Sequence, residues 1–570
     1  MEDPIINEVE QLAGYETPQG EAGEKSSKKD LKVAEILICL VLDSECKLFL
    51  DQLSEPHVVF PDQPAVAHPL RGGVFRKWLA SQYWQTEGKG FSGEQFSQCQ
   101  SALEGMCHSQ NLKAELYNRV ALVGNTITYD LGDNSNVVEI TSRGWKVTGA
   151  KEALFRRLTH QKEQITPQKG GKITDILNFV NLDTSQERLL YLTYLPATFF
   201  VDIPRPQIVV TGEQGSAKST LLKLTRSLID PSRTPLLKLR SSDELALMAH
   251  HHFLLYLDNV GYLPHAVSDD LSAFITGSGF QKRQLFTDSE AIIYELKSAI
   301  GLSAISQVIE RADLLDRSLI FTLSRIPDTK RRDEKLFWQE FEDAKPKLLG
   351  GLFDLLSATL GLLPEIKLDR KPRMADYSLI ATAAAINLGK TGDDFLNAFS
   401  KNVEKQNSAA IDGSVVGQTI LHFMQDKFEW EGSSSDLYEF LKKIAEKQGF
   451  KVGGNAFPSS SNWLWRKIVV IKPNLNSMGI VVEKIEEKFH NSIKMSKVAE
   501  NASTTSYAST QPQKVEEADK NASTDASTAS TKKGYASTDS SLNAEAEEAE
   551  EADLHTVEGS ENDEEEIENL

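Results

Sequence analysis

"TGEQGSAKST" (Thr211–Thr220) stands directly after the apolar run "PQIVV" (Pro206–Val210). The stretch fits a phosphate-binding pattern, G-x-x-x-x-G-K-[ST], except that Ala217 occupies the position before Lys218 where the pattern has Gly. Gly212 and Gly215 let the backbone turn and approach phosphate oxygens closely. Backbone N–H groups along Gly212, Glu213, Gln214, Gly215, Ser216 and Ala217, and the N-terminus of a helix beginning near Lys218, supply partial positive charge. Lys218 would reach the terminal phosphates of ATP, the Ser219 hydroxyl would hold Mg²⁺, and Thr220 would lie just behind it in the helix. Ala217 adds one methyl group, which fits without strain where its φ is negative.

Working outward, "FLLYLDN" (Phe253–Asn259) is a buried strand ending in Asp258, 40 residues after Lys218. A carboxylate at that strand end would hold the Mg²⁺ shell. A Glu is expected next, as the base, but Asn259 stands there; an amide can orient water but cannot take its proton. The bland reading of Asp258 is a strand-end cap. "SAIGLSAI" places Ser303 at the end of a further strand, within reach of a γ-phosphate or an attacking water. In "RADLLDRSL", Arg311 and Arg317 are candidates to stabilise a neighbouring subunit's transferring phosphoryl group; the bland alternative is a local pair of Arg317 with Asp313. Between these motifs, "TGSGF" and the flanking runs predict a hairpin whose tip carries Phe280, Lys282 and Arg283. Cations and rings together suit single-stranded nucleic acid; the alternative is an ordinary solvated hairpin.

"QIVVTG", "FLLYLDN", "SAIGLSAI" and "SLIFTL" alternate with helical stretches over 165–330, which predicts a parallel sheet with helices on its faces. Residues 331–405 read as a helical lid. The order of helices and the final strand "GIVVEKIEE" over 410–490 suits a winged helix. Residues 31–150 read as an N-terminal α+β module, with one amphipathic helix over "HPLRGGVFRKWLASQYWQTEG" (Phe75, Leu79 and Tyr83 at spacing four) and strands in "RVALVGNTITYDLG" and "VVEITSRGWKV". Residues 1–30 are a polar lead. From 491 the composition collapses to Ala, Ser, Thr and Glu, with "AST" recurring six times; such a segment buries too little surface to fold.

The 570 residues carry a net charge of −20, but 18 acidic against 4 basic residues lie from Asn501 onward, so the body is only mildly acidic and compatible with nucleic acid. The acidic tail suits a protein partner or solubility. No run of 18 apolar residues and no leader-like N-terminus occur, so a cytoplasmic protein with no membrane partner is expected. Cys39, Cys46, Cys99 and Cys107 form no C-x-x-C and read as reduced thiols. His250–His252 reads as an exposed strand start and not as a metal site. Asp43 and Glu45 form a lone D-x-E pair, which does not support a primase.

"GEQGSAKST", "LDN", "TGSGF…R" and "DLLDRS" together resemble AAA+ ATPases. Among these they look like the superfamily-3 helicases of viruses, phages and plasmids, of the primase-helicase type, and like uncharacterised mobile-element ATP-binding proteins. Ala before the loop Lys also occurs in the similar minichromosome-maintenance helicases. The resemblance implies an α/β fold: a P-loop core, a lid and a winged helix. It implies a hexameric, ATP- and Mg²⁺-dependent DNA helicase or translocase acting on single-stranded or forked DNA. By it, Lys218 and Ser219 carry nucleotide, Asp258 the metal, Ser303 the sensor role and Arg317 the finger; Arg370 or Arg373 would be a second sensor. Asn259 departs from the family and favours the alternative of a slowly hydrolysing, ATP-dependent DNA-binding switch. Ser303 stands where Asn is usual, a milder change.

Overall fold

The computed structural model describes residues 32–497, apart from 151, 240, 278, 284–290, 296, 306–307, 310, 370–371, 454–456 and 488–489. The lead over 1–30, the tail from 498 and Arg370 lie outside the described residues.

The chain opens with α1 (Val33–Asp43), β1 (Lys47–Leu50), β2 (Pro56–Val59), β3 (Val66–Pro69), α2 (Gly73–Glu87), α3 (Gly93–Gln110) and β4 (Leu116–Tyr117). Helix α2 is the expected amphipathic one: Phe75, Leu79 and Tyr83 are buried, and it stops at Gly88, whose φ of 66° is cheap only for Gly. A capping box of Ser92 with Gln95 starts α3. Strands β5 (Val120–Val123), β6 (Thr126–Asp130), β7 (Asn136–Thr141) and β8 (Gly144–Gly149) form an antiparallel meander, and β9 (Leu154–Arg156) returns to the first sheet in the order β1-β2-β3-β9-β4.

Residues 31–150 are therefore not one module. The meander's alternation decides this: Val138 and Ile140 project, with Ile127, Tyr129 and Trp145, into the same core as the central parallel sheet, whereas α1–α3 close a separate core on β1 and β2.

The central region contains α4 (Ser185–Ala197), β10 (Gln207–Gly212), α5 (Lys218–Ile229), α6 (Ser242–His251), β11 (Leu254–Leu257), α7 (His265–Thr276), β12 (Gly279–Arg283), β13 (Ala291–Glu295), β14 (Ala299–Ser303), α8 (Ala312–Leu315) and β15 (Ser318–Leu323). The four expected strands form one parallel sheet, β11-β14-β10-β15. Leu237 adds a single parallel bridge to Leu257 outside β11. Strands β10, β11, β14 and β15 are apolar almost throughout because helices cover both faces. Strand order sets the site: β14 lies between β10 and β11, so the carboxyl ends of all three open on one edge.

Helices α9 (Glu334–Leu362), α10 (Ala375–Asn387) and α11 (Gly392–Asp412) pack on this core and share its apolar cluster. Over Glu334–Glu365 the chain is long and apolar enough to cross a membrane, but 61% of its most apolar stretch is buried against the fold, as in a core helix. Helix α11 also closes the edge of β15. Asn402 accepts from Ile320 N (3.0 Å) and donates to Ile320 O (2.7 Å), and Gln406 donates to Ser318 O (2.7 Å), so the edge strand's backbone groups are satisfied by side chains.

The last part runs α12 (Val415–Met424), β16 (Glu429–Ser433), α13 (Ser434–Lys447), α14 (Ser461–Ser477), β17 (Ile480–Glu487) and β18 (His490–Lys497), with sheet order β16-β18-β17 around its own core. The three helices and β17 match expectation. Strand β18 does not: it pairs with both β16 and β17, so ordered chain continues past residue 490, where the low-complexity tail was expected to begin. Ile493 and Met495 supply its buried face.

Candidate functional site

Strand β10 delivers the chain to Gly212 at the open edge of the sheet. Here φ is 144°, and a side chain would strike Leu323 O of β15 and Ser216 Oγ. Gly215 follows at φ 82°. Ala217 sits at φ 67°, ψ 29° and is the N-cap of α5. The condition of a negative φ, under which its methyl would fit freely, is not met: the loop holds an L-residue in the left-handed region, which is why Gly is usual there. Glu213 and Gln214 are exposed at the tip, and Ser216 is buried with its hydroxyl donating to Glu213 O at 2.9 Å. Lys218, Ser219 and Thr220 form the first turn of α5, where backbone N–H groups have no intrahelical partner.

Lys218 Nζ donates back to Gly212 O at 2.7 Å and Glu213 O at 2.8 Å. Partial burial lowers its pKa, opposed by the field of Asp258. Ser219 Oγ donates to Asp258 Oδ1 at 2.7 Å, and Ser303 Oγ donates to the same oxygen at 2.5 Å. The Ser303 hydroxyl also accepts from Asn259 N at 2.8 Å, while Ser303 O accepts from Val260 N. The turn after Asp258 is thereby pinned, with Asn259 exposed at φ 53°. Lys218, Ser219, Asp258, Asn259 and Ser303 thus come together from three strand ends.

Arg317 lies elsewhere. Its guanidinium pairs with Asp313 and donates to Asp313 O at 2.8 Å, the local arrangement that was the alternative to a finger. Arg311 pairs with Asp269 at 2.9 Å, and Arg373 pairs with Asp313 and Asp316. Strands β12 and β13 form the expected antiparallel hairpin, but Phe280, Lys282 and Arg283 stand within β12, paired with Tyr294, Ile292 and Ala291, and not at its tip. Residues 284–290 between them lie outside the described residues.

The His run differs from expectation. His250 and His251 end α6, and His252 is buried, its ring 3.8 Å from that of His160 and its Nδ1 2.7 Å from Arg226 Nη2. All four cysteines are free, and among the described residues no group of three or more His, Cys, Asp or Glu side chains could hold a metal.

Residues 173–404 match the family model described as "Actinomycete integrative conjugative element replication protein", and residues 416–511 match "AICE RepA C-terminal domain". Over these stretches the chain resembles a mobile-element replication protein. No curated protein sequence matches significantly. Among solved structures, the A-form apo structure of the NrS-1 C-terminal region is 11% identical, over 81% of this chain and 98% of that one, with a TM-score of 0.38. The apo structure of NrS-1 residues 305–718 is 12% identical, over 82% and 100%, with a TM-score also of 0.38.

Sequence reasoning missed the braces of the loop. Asn181 Nδ2 donates to both Ser216 O (3.1 Å) and Ser324 O (2.7 Å), and Ile326 N donates to Gly215 O (3.3 Å). No local pattern marks an Asn that acts 35 residues away from its partner.

Proposed function

We propose that the chain is an ATP-binding and hydrolysing AAA+ motor that works on DNA during replication of a mobile element, as a helicase or translocase. The observation that carries this is Asp258. Its carboxylate, at the end of β11, accepts the hydroxyls of Ser219 and Ser303 beside Lys218. This donor set suits Mg²⁺: hard oxygens, a single carboxylate, and open positions for water and phosphate oxygens. Bound there, the ion would neutralise charge on the β- and γ-phosphates. The chain's own part is positional. Lys218 leaves Gly212 O and Glu213 O for phosphate, the α5 N-terminus faces the anion, and Ser303 orients Asp258 and the turn at Asn259.

The rest of the chain supports this reading. The order β11-β14-β10-β15 puts the Ser303 strand between the loop strand and the Asp258 strand, as in AAA+ cores. Helices α9–α11 would be the lid. The run α12-β16-α13-α14-β17-β18 would serve as the winged helix, and the β12–β13 hairpin, whose first strand includes Lys282 and Arg283, would meet DNA. In a hexamer, Arg317 or Arg311 would exchange its partner on this chain, Asp313 or Asp269, for a neighbour's nucleotide.

Purified protein should hydrolyse ATP faster with single-stranded DNA, and Lys218→Ala should abolish turnover. DNA-independent turnover and intact forked duplex would sink the helicase reading. Asn259 favours one alternative, a switch that assembles on DNA with ATP and hydrolyses slowly. ATP-dependent DNA binding without stimulated turnover would establish it.

A further inference from the structure

The segment after β15 is tied to the phosphate loop more tightly than a connection requires. Ser324 Oγ donates to Asp183 at 2.5 Å, Asn181 joins Ser324 O to Ser216 O, and Ile326 N reaches Gly215 O. Five residues further on, the segment presents Arg331. Its Nη2 lies 3.3 Å from where a Cβ on Gly215 would stand. Gly215 has φ 82° and no side chain, so nothing at that position screens the guanidinium from the loop's backbone.

Arg331 is also weakly held. Its ion pair with Asp328, at 3.1 Å, joins side chains that are 50% and 77% exposed. Such an exposed pair contributes little, so exchanging it for another anion costs little. The next residue differs: Arg332 is committed to Glu340 and lies over the rings of Phe179 and Phe337. A guanidinium's planar fork matches phosphate oxygens.

We propose that Arg331 is a second cationic ligand of the nucleotide's phosphate chain, acting from the same polypeptide as Lys218 and approaching from the Gly215 side of the loop. This rests on the nucleotide-binding reading above. Asp328 parks the guanidinium until phosphate replaces it. The position differs from that of Arg373, whose guanidinium pairs with Asp313 and Asp316.

The test uses the full chain and two probes, a fluorescent ATP analogue and inorganic tripolyphosphate as its competitor, with Lys218→Ala, Arg331→Ala, Arg331→Lys and Asp328→Asn beside wild type. Thermal melting should show all of them folded. Arg331→Ala should weaken both probes about 10-fold or more, the range of a charge-assisted hydrogen bond. Arg331→Lys should recover part of that loss, and Asp328→Asn should tighten both probes. Wild-type affinity for both probes in Arg331→Ala, with Lys218→Ala impaired, would overturn this assignment alone. Weakening of the ATP analogue without tripolyphosphate would also overturn it, placing Arg331 on the base or ribose. If wild type binds neither probe, the nucleotide reading itself fails, and this assignment with it.

Discussion

Helix α5 has charge at both ends, put to opposite uses. At its N-terminus, Lys218 and Ser219 are half-buried, their partners are small groups at strand ends, and two residues nearby, Ala217 and Asn259, hold left-handed backbone. At its C-terminus, Arg226 and Asp230 are sealed, with side chains no more than 1% exposed. Asp230 accepts from Arg119 Nε at 3.2 Å, from Arg226 Nη2 at 3.4 Å and from Leu254 N at 3.3 Å. Arg119 continues to Asp130 O (3.2 Å) and Lys162 O (3.1 Å), and Asp130 pairs with Arg157 at 2.8 Å. One end leaves its charges exchangeable. The other uses up nearly every donor and joins the meander, the 157–162 link, α5 and β11 into one body. Charge at a ligand site must be able to change partners; charge that fixes domains must not.

The largest effect should come from the sealed end. Arg119→Ala leaves Asp230 short of a partner and empties a buried volume, and breaking a buried pair from one side costs about 3–5 kcal/mol. Urea unfolding should show the central core melting at a much lower midpoint. Lys218→Ala should reverse the profile, because its side chain is partly exposed and bonds only to loop carbonyls. Turnover should fall by about 100-fold or more, the cost of losing one preorganised donor. Its unfolding midpoint should stay within the about 0.5 kcal/mol typical of a non-core site. A Lys218→Ala chain as unstable as Arg119→Ala would erase the distinction between the two ends.

A pH series sharpens it further. Burial, and then Arg226, pull the pKa of His252 from 6.5 to about 3. Arg226 can only donate, so the Nδ1 it meets must stay unprotonated. The sign follows: between these pKa values the unfolded chain binds a proton that the folded chain refuses, so this contribution is complete above about pH 6.5 and is lost as pH falls toward 3. Replacing His252 by Asn should reduce overall stability and flatten its decline below pH 6.5. An unchanged slope would remove His252 from the linkage.

What could be read in advance divides along the same line. The loop, Asp258 and Ser303 were legible because each closes an apolar strand, and strand ends of a parallel sheet share one edge. Helix α2 was legible from Phe75, Leu79 and Tyr83. The sealed network was not, since Arg119 and Asp230 lie 111 residues apart and neither stands in a motif. The same holds for Asn181 and Arg331, which act through the folded path of the segment after β15. His250–His252 misled because hydrophilic residues before a strand suggest solvent, whereas His252 is buried with its ring tilted against that of His160. The split of the first 150 residues was hidden because β5–β8 alternate as any half-buried meander does; the pattern says one face is covered, not by what.

The smallest effect returns to the open end. Ala217 at φ 67° carries a left-handed cost of about 1–2 kcal/mol that Gly would not. Ala217→Gly also frees the unfolded chain, which returns about 0.4–1 kcal/mol to that side. The balance is a gain of between about 0 and about 1.6 kcal/mol, visible as a small rise in the unfolding midpoint. Nucleotide affinity should barely move, because the loop already holds the φ that Gly would supply. If the variant is instead less stable, the methyl is packing usefully and outweighs its strain. If it binds ATP much more tightly at equal stability, the strain acts on the loop's bound form, and the open end of α5 is tuned by its backbone as well as by its charges.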